Sequence, residues 1–92
     1  MDKASAEEYL KETPDWENVE EGKKIRRELK FADFKEAMAF INKVAEVAEN
    51  EQHHPNFHIF YNRVILELWT HAVGGLSEND FILAAKINGI LK

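Results

Sequence analysis

Residues 25–38 read IRRELKFADFKEAM, and the hydrophobic pattern changes period partway through. Ile25, Arg27, Leu29 and Phe31 alternate with Arg26, Glu28 and Lys30, which is the two-residue repeat of a strand. Beyond Asp33 the repeat becomes helical: Phe34, Ala37, Met38, Ile41, Val44, Ala45 and Ala48 fall on one face. Asp33 suits the N-cap, where a short carboxylate accepts a first-turn N–H. A strand therefore runs directly into a long helix, expected to reach about Gln52. Pro55 is expected to stop it, because the residue before a proline, here His54, is driven out of the helical region.

Toward the N-terminus, Trp16 to Val19 and a turn at Gly22 complete a hairpin with the strand over 25–31. Ser5-Ala-Glu-Glu8 has the form of a capping box opening a short helix with Tyr9 and Leu10, which Thr13-Pro14-Asp15 ends. Toward the C-terminus, Phe57 to Tyr61 and Val64 to His71 predict a second hairpin turning at Asn62-Arg63. Val64, Leu66, Leu68 and Thr70 share one face of it; Ile65, Glu67, Trp69 and His71 share the other. One face is expected against the helices and the other beneath a partner subunit. Gly74-Gly75 marks a loop. Ser77-Glu-Asn-Asp80 is a capping box with Asp in place of Glu, and the last helix is expected to turn Phe81, Ala84, Ile87 and Leu91 inward. The order is α-β-β-α-β-β-α in one domain over residues 1–92, an α+β arrangement without repeats or linkers.

Composition narrows the function. The chain has 92 residues, 45% hydrophobic and 32% charged, as expected of a water-soluble globular protein. So small a core gains from self-association. The net charge is −5, and the densest basic run, Lys23 to Arg27, is countered by Glu17, Glu20, Glu21 and Glu28. Direct nucleic-acid binding needs concentrated positive charge and is not expected. No apolar run approaches the ~20 residues of a membrane span. The acidic opening MDKASAEEYLKE lacks the apolar stretch of a secretory signal, which fits a cytoplasmic setting. Without cysteine there is no thiolate nucleophile or thiolate metal site.

The chemistry-bearing residues are the histidines. Three of the four lie in EQHHPNFHIFYN, residues 51–62, and the fourth is His71. Glu49 and His53 are four apart near a helix end, a spacing that places them on one face. An antiparallel return from Pro55 can carry His71 back beside His53 and His54. Three readings stand side by side. Three imidazoles suit zinc by ligand type, although H-E-x-x-H spacing is absent. They also read as ordinary surface or core histidines. Or they perform acid–base chemistry, since imidazole gives and takes protons near neutrality. Several imidazoles without a nucleophile suit the addition or elimination of water.

Glu49-x-x-x-His53-His54-Pro55, then Tyr61, His71 and Asp80 at their spacings, resembles the signature of the pterin-4a-carbinolamine dehydratases. Ile25-x-Arg27-x-Leu29-x-Phe31-x-Asp33-Phe34 and Thr70-His71-x-x-Gly74-Gly75-Leu76-Ser77-x-x-Asp80 are similar to the family's strand-to-helix entry and its loop into the final helix. Trp16 matches its early tryptophan. The resemblance spans roughly residues 14 to 91. Phe57 stands where many members have tryptophan, and His58 has no counterpart in the pattern.

The resemblance implies a four-stranded antiparallel sheet with three helices on one face, assembled as a homodimer or homotetramer. It implies a hydro-lyase that dehydrates 4a-hydroxytetrahydropterin to quinonoid dihydropterin, recycling the spent tetrahydrobiopterin-type cofactor of aromatic amino acid hydroxylases, with no metal and no cofactor of its own. By position, His53, His54 and His71 would line the site. His53 and His71 would transfer protons, and His54 would bind or orient the pterin. Glu49 would hold His53, with Pro55, Phe57 and Asp80 supporting the pocket. Two other roles follow from the same resemblance: dimerisation partner of a transcription factor, and pterin handling in molybdopterin metabolism.

Overall fold

The change of period at Asp33 coincides with the junction around which the fold is organised. A computed structural model describes residues 1–91. The elements are α1 (Lys3–Leu10), β1 (Glu17–Val19), β2 (Lys24–Lys30), α2 (Phe34–Glu51), β3 (Asn56–Phe60), β4 (Arg63–Leu68) and α3 (Glu78–Ile90), with single 3-10 turns at Glu20–Gly22 and His71–Val73. The order is α-β-β-α-β-β-α, as the pattern predicts. The four strands form one antiparallel sheet in the order β1-β2-β4-β3, with β2 and β4 central.

The helices cover one sheet face. Ile25, Val64, Leu66 and Leu68 are fully buried there against Ala37, Val44, Leu83, Ala84 and Ile87. Each buried leucine or isoleucine contributes about 1.5–3 kcal/mol through removal of apolar surface from water. The other face carries Lys24, Arg26, Glu28, Arg63 and Glu67, because alternate residues of a strand point to opposite sides. Arg26 bridges Glu17 at 3.1 Å and Glu28 at 3.0 Å, and Arg63 reaches Glu28 at 3.0 Å. Ile65 and Trp69 sit among these charges, so the open face is mixed rather than apolar. Large exposed apolar side chains instead concentrate at the β3–β4 turn, where Ile59, Phe60 and Tyr61 are exposed.

Several boundaries differ from the expectations, each for a local reason. Helix α1 starts at Lys3, because Asp2 is its cap: Ser5 N–H donates to Asp2 Oδ1 at 2.8 Å, and Ser5 is a donor instead of the capping residue. Asp33 does cap α2, accepting from Glu36 N–H at 2.8 Å, an interaction worth about 1 kcal/mol. Pro55 does not terminate that helix. Gln52 does, adopting a left-handed conformation (φ 54°), with Gln52 N–H bonded to Glu49 O and His53 N–H to Ala48 O. This is the pairing of a Schellman end.

The second hairpin turns at Tyr61-Asn62, with Tyr61 at φ 56°, and Arg63 is already in β4. Tyr61 is therefore an exposed turn residue and does not pack in the sheet. Strand β4 ends at Leu68, whose pairing with Ile25 is the last of the β2–β4 ladder. Thr70 instead pairs back on Gly75, and His71 opens the loop between them. Leu91 lies past the end of α3 and is exposed; Leu83 takes an inward place alongside Phe81, Ala84 and Ile87.

Candidate active site

Two chain segments that leave regular structure meet beside the sheet. The first follows the left-handed Gln52 and runs through His53, His54 and Pro55 into β3. The second leaves the end of β4 through Trp69, Thr70 and His71. Together Gln52, His53, His54, Pro55, Asn56, Trp69, Thr70 and His71 line an open cleft of about 410 Å³. A smaller groove between α1 and α3, about 240 Å³, is lined by Tyr9, Thr13, Phe81 and Ile82 among others and holds no imidazole. Three of the four imidazoles therefore lie in the first cleft.

His53 is mostly buried and its Nε2 lies 2.5 Å from Asp80 Oδ1. Asp80 is fully buried. Its other oxygen, Oδ2, accepts from Ser77 N–H at 2.9 Å, closing the cap of α3, and from the Thr70 hydroxyl at 2.9 Å. Thr70 has one hydroxyl proton and gives it to Asp80, so the 2.7 Å contact between Thr70 Oγ1 and Ser77 Oγ has Ser77 as donor. A carboxylate only accepts, so His53 Nε2 carries the proton it shares with Asp80, and Nδ1 holds the ring's lone pair. Asp80 thus both caps a helix and orients an imidazole.

The carboxylate pairing differs from the expectation. Glu49 Oε2 bonds His54 Nε2 at 2.6 Å, and it is His54, exposed at the cleft edge, that Glu49 holds. The four-residue spacing of Glu49 and His53 assumes a helix through both. The helix ends before His53, and the left-handed Gln52 swings that residue off the face Glu49 occupies. His53 then finds Asp80, which is distant in sequence and near in space.

Of the other candidates, Pro55 lines the cleft and is buried. Phe57 lies on the core side of β3, opposite Leu66, and packs against the hydrophobic core rather than lining the cleft. His58, on the opposite side, is exposed and bonds Glu67 Oε1 at 3.1 Å. That hydrogen bond from His58 is the main reason Glu67 is held below its ordinary pKa, with Lys24 adding to it. Arg27 meets Asn88 Oδ1 and, at 3.5 Å, Asp15, away from the cleft. Trp16 is core, its indole N–H bonded to Asn88 Oδ1 at 2.9 Å. Among the described residues no group of three His, Asp or Glu side chains is arranged to hold a metal ion.

Gln52, Asn56 and Trp69 are cleft residues that no chemical motif singles out. Trp69 is the largest of them. Its ring lies 4.8 Å from that of His71, tilted by 55°, and Lys24 Nζ sits 4.5 Å over the indole.

Residues 1–90 match the family described as pterin 4 alpha carbinolamine dehydratase. A protein of Xanthomonas campestris pv. campestris, provisionally named pterin-4-alpha-carbinolamine dehydratase, is 46% identical over 87 residues, covering 95% of this chain and 74% of its own length. The Arabidopsis thaliana protein named pterin-4-alpha-carbinolamine dehydratase 2, mitochondrial, is 44% identical over 91 residues, which is 96% of this chain and 49% of that protein. A solved structure from Brucella melitensis, described as a transcriptional coactivator/pterin dehydratase, superposes with a TM-score of 0.93 at 35% identity, covering 100% of this chain and 98% of that one.

Proposed function

Because this chain belongs to the pterin 4 alpha carbinolamine dehydratase family, we propose that its cleft removes water from a 4a-hydroxytetrahydropterin by histidine acid–base catalysis. The observation that carries this reading is the meeting of His53, His54 and His71 in one open cleft, with His53 backed by the buried Asp80.

In the reaction the C4a–O bond breaks as the N5 lone pair forms the C4a=N5 double bond. The departing oxygen takes a proton and leaves as water, and the N5 proton goes to a base. The product is the quinonoid dihydropterin, with no net oxidation. His53 serves as the base through Nδ1, since Nε2–H is committed to Asp80. The buried carboxylate stabilises the imidazolium that forms, as the acid member of a catalytic triad does. His71, exposed to the cleft, protonates the leaving hydroxyl. His54, held by Glu49, orients the heterocycle at the rim. Imidazole groups so placed contribute ~10²–10⁴-fold each to such proton transfers. Purified protein is expected to accelerate dehydration of synthetic 4a-hydroxytetrahydropterin well above the buffer rate. Equality of the two rates sinks the proposal. Recycling of a hydroxylase cofactor in the cytoplasm is the setting this activity fits; molybdopterin metabolism would use the same pocket. Among the described residues no helix is long and apolar enough to cross a membrane.

Self-association is part of the proposal, supported by the exposed Ile59, Phe60 and Tyr61 at the hairpin tip. Sedimentation at micromolar concentration is expected to show a homodimer or homotetramer; a monomer excludes it. A second reading, as a protein-binding module, draws on the coactivator description of the Brucella structure. Stoichiometric capture of one cellular protein together with absent pterin turnover would favour it.

A further inference from the structure

Three of the four histidines have a carboxylate partner: His53 with Asp80, His54 with Glu49 and His58 with Glu67. Among the described residues His71 has none within ion-pair distance, and the ring packed against it is the indole of Trp69. We propose that Trp69 is the positioning residue of His71, fixing the plane of that imidazole in the cleft through the tilted ring contact. The role rests on the dehydration reading and names a residue that the reaction scheme does not use.

The setting explains why such a support is needed. Strand β4 loses its β2 partner after Leu68, so His71 stands at the start of a loop closed by the Thr70–Gly75 bridge. An exposed imidazole there would sample several rotamers. Trp69, partly buried at the strand end, limits them. The indole is itself held from β2: Lys24 Nζ lies 4.5 Å over it and is anchored to Glu20 at 3.0 Å. That bond to Glu20 pushes the Lys24 ammonium above its ordinary pKa, so it stays charged over the ring.

An aromatic support also suits a group that must both lose and regain a proton. A carboxylate favours the imidazolium strongly. An indole packs with neutral imidazole in a tilted geometry and attracts imidazolium to its face, so contact survives both states. The other titratable groups around His71 are His53 and His54 across the cleft, Lys24 with Glu20 behind the indole, and Glu67 earlier on β4.

The test compares wild type with Trp69→Leu, Trp69→Phe and His71→Ala. Trp69→Leu is expected to lower kcat about tenfold through misorientation, with KM changed far less. It should also displace the pH profile of kcat, and Trp69→Phe should restore most of the rate. The protein has two tryptophans, and imidazolium quenches indole emission on contact. Wild-type fluorescence should therefore carry a pH-dependent component that vanishes in both Trp69→Phe and His71→Ala. Thermal unfolding verifies that Trp69→Leu is folded. A folded Trp69→Leu with wild-type kcat and pH profile overturns this role while leaving the dehydratase reading intact. A lower kcat with an unchanged profile and no rescue by phenylalanine reduces Trp69 to a packing residue and also overturns it. Wild-type protein without turnover removes the reaction and this role with it.

Discussion

His53→Ala and His71→Ala are each expected to lower kcat for carbinolamine dehydration by about 10²-fold or more. The check is a rapid-mixing assay on 4a-hydroxytetrahydropterin, corrected for the rate in buffer. The two variants should differ in stability. His71 is exposed at the start of a loop, and its loss should leave the melting temperature nearly unchanged. Removing His53 deprives Asp80 Oδ1 of its protein donor, and water entering from the cleft replaces it only in part. A loss of about 1 kcal/mol is expected, or about 4–8 °C in a domain of this size. Combining the two should cost much less than the product of the single effects, since they serve one concerted departure of water. Wild-type kcat in His71→Ala would rule out its assignment as the acid.

Asp80 offers a sharper separation of folding from chemistry. Asp80→Ala removes the acceptor for Ser77 N–H, the Thr70 hydroxyl and His53 Nε2–H at once, in a fully buried position. Loss of the cap and stranding of buried donors are expected to cost about 3 kcal/mol, measured by urea denaturation. Asp80→Asn is expected to retain most of that stability. Its amide oxygen can still accept from Ser77 and Thr70, leaving the NH₂ group toward His53. An amide donor at that position forces Nε2 to accept, moves the ring proton to Nδ1 and abolishes the base. The expected result for Asp80→Asn is therefore near-native stability with kcat reduced about 10²-fold or more. Full activity in Asp80→Asn would show that the His53 tautomer is irrelevant to turnover.

Most elements were legible because they rest on short-range signals. The alternation from Ile25 to Phe31, the helical repeat after Asp33 and the Ser77–Asp80 cap all depend on residues within a few positions of one another. Errors occurred where a local rule met a competing partner. Ser5 resembled a cap until Asp2 took the position, and the proline rule at His54 was preempted by the left-handed turn at Gln52. The candidate site was legible in part. The three cleft histidines and Pro55 follow from the spaced signature, and Asp80 from its match. Phe57 carries the same kind of signal, yet strand alternation turns it to the core.

The amino-acid order by itself determined the element sequence and the stock of imidazoles, since periodicity, caps and composition act through neighbours in the chain. Only the tertiary structure decided which carboxylate serves which histidine. One left-handed residue at the end of α2 sends Glu49 to His54 and frees His53 for Asp80, 27 residues later in the chain. Such pairings depend on where two chain ends arrive after the sheet has formed, and no spacing rule along a single helix contains that information.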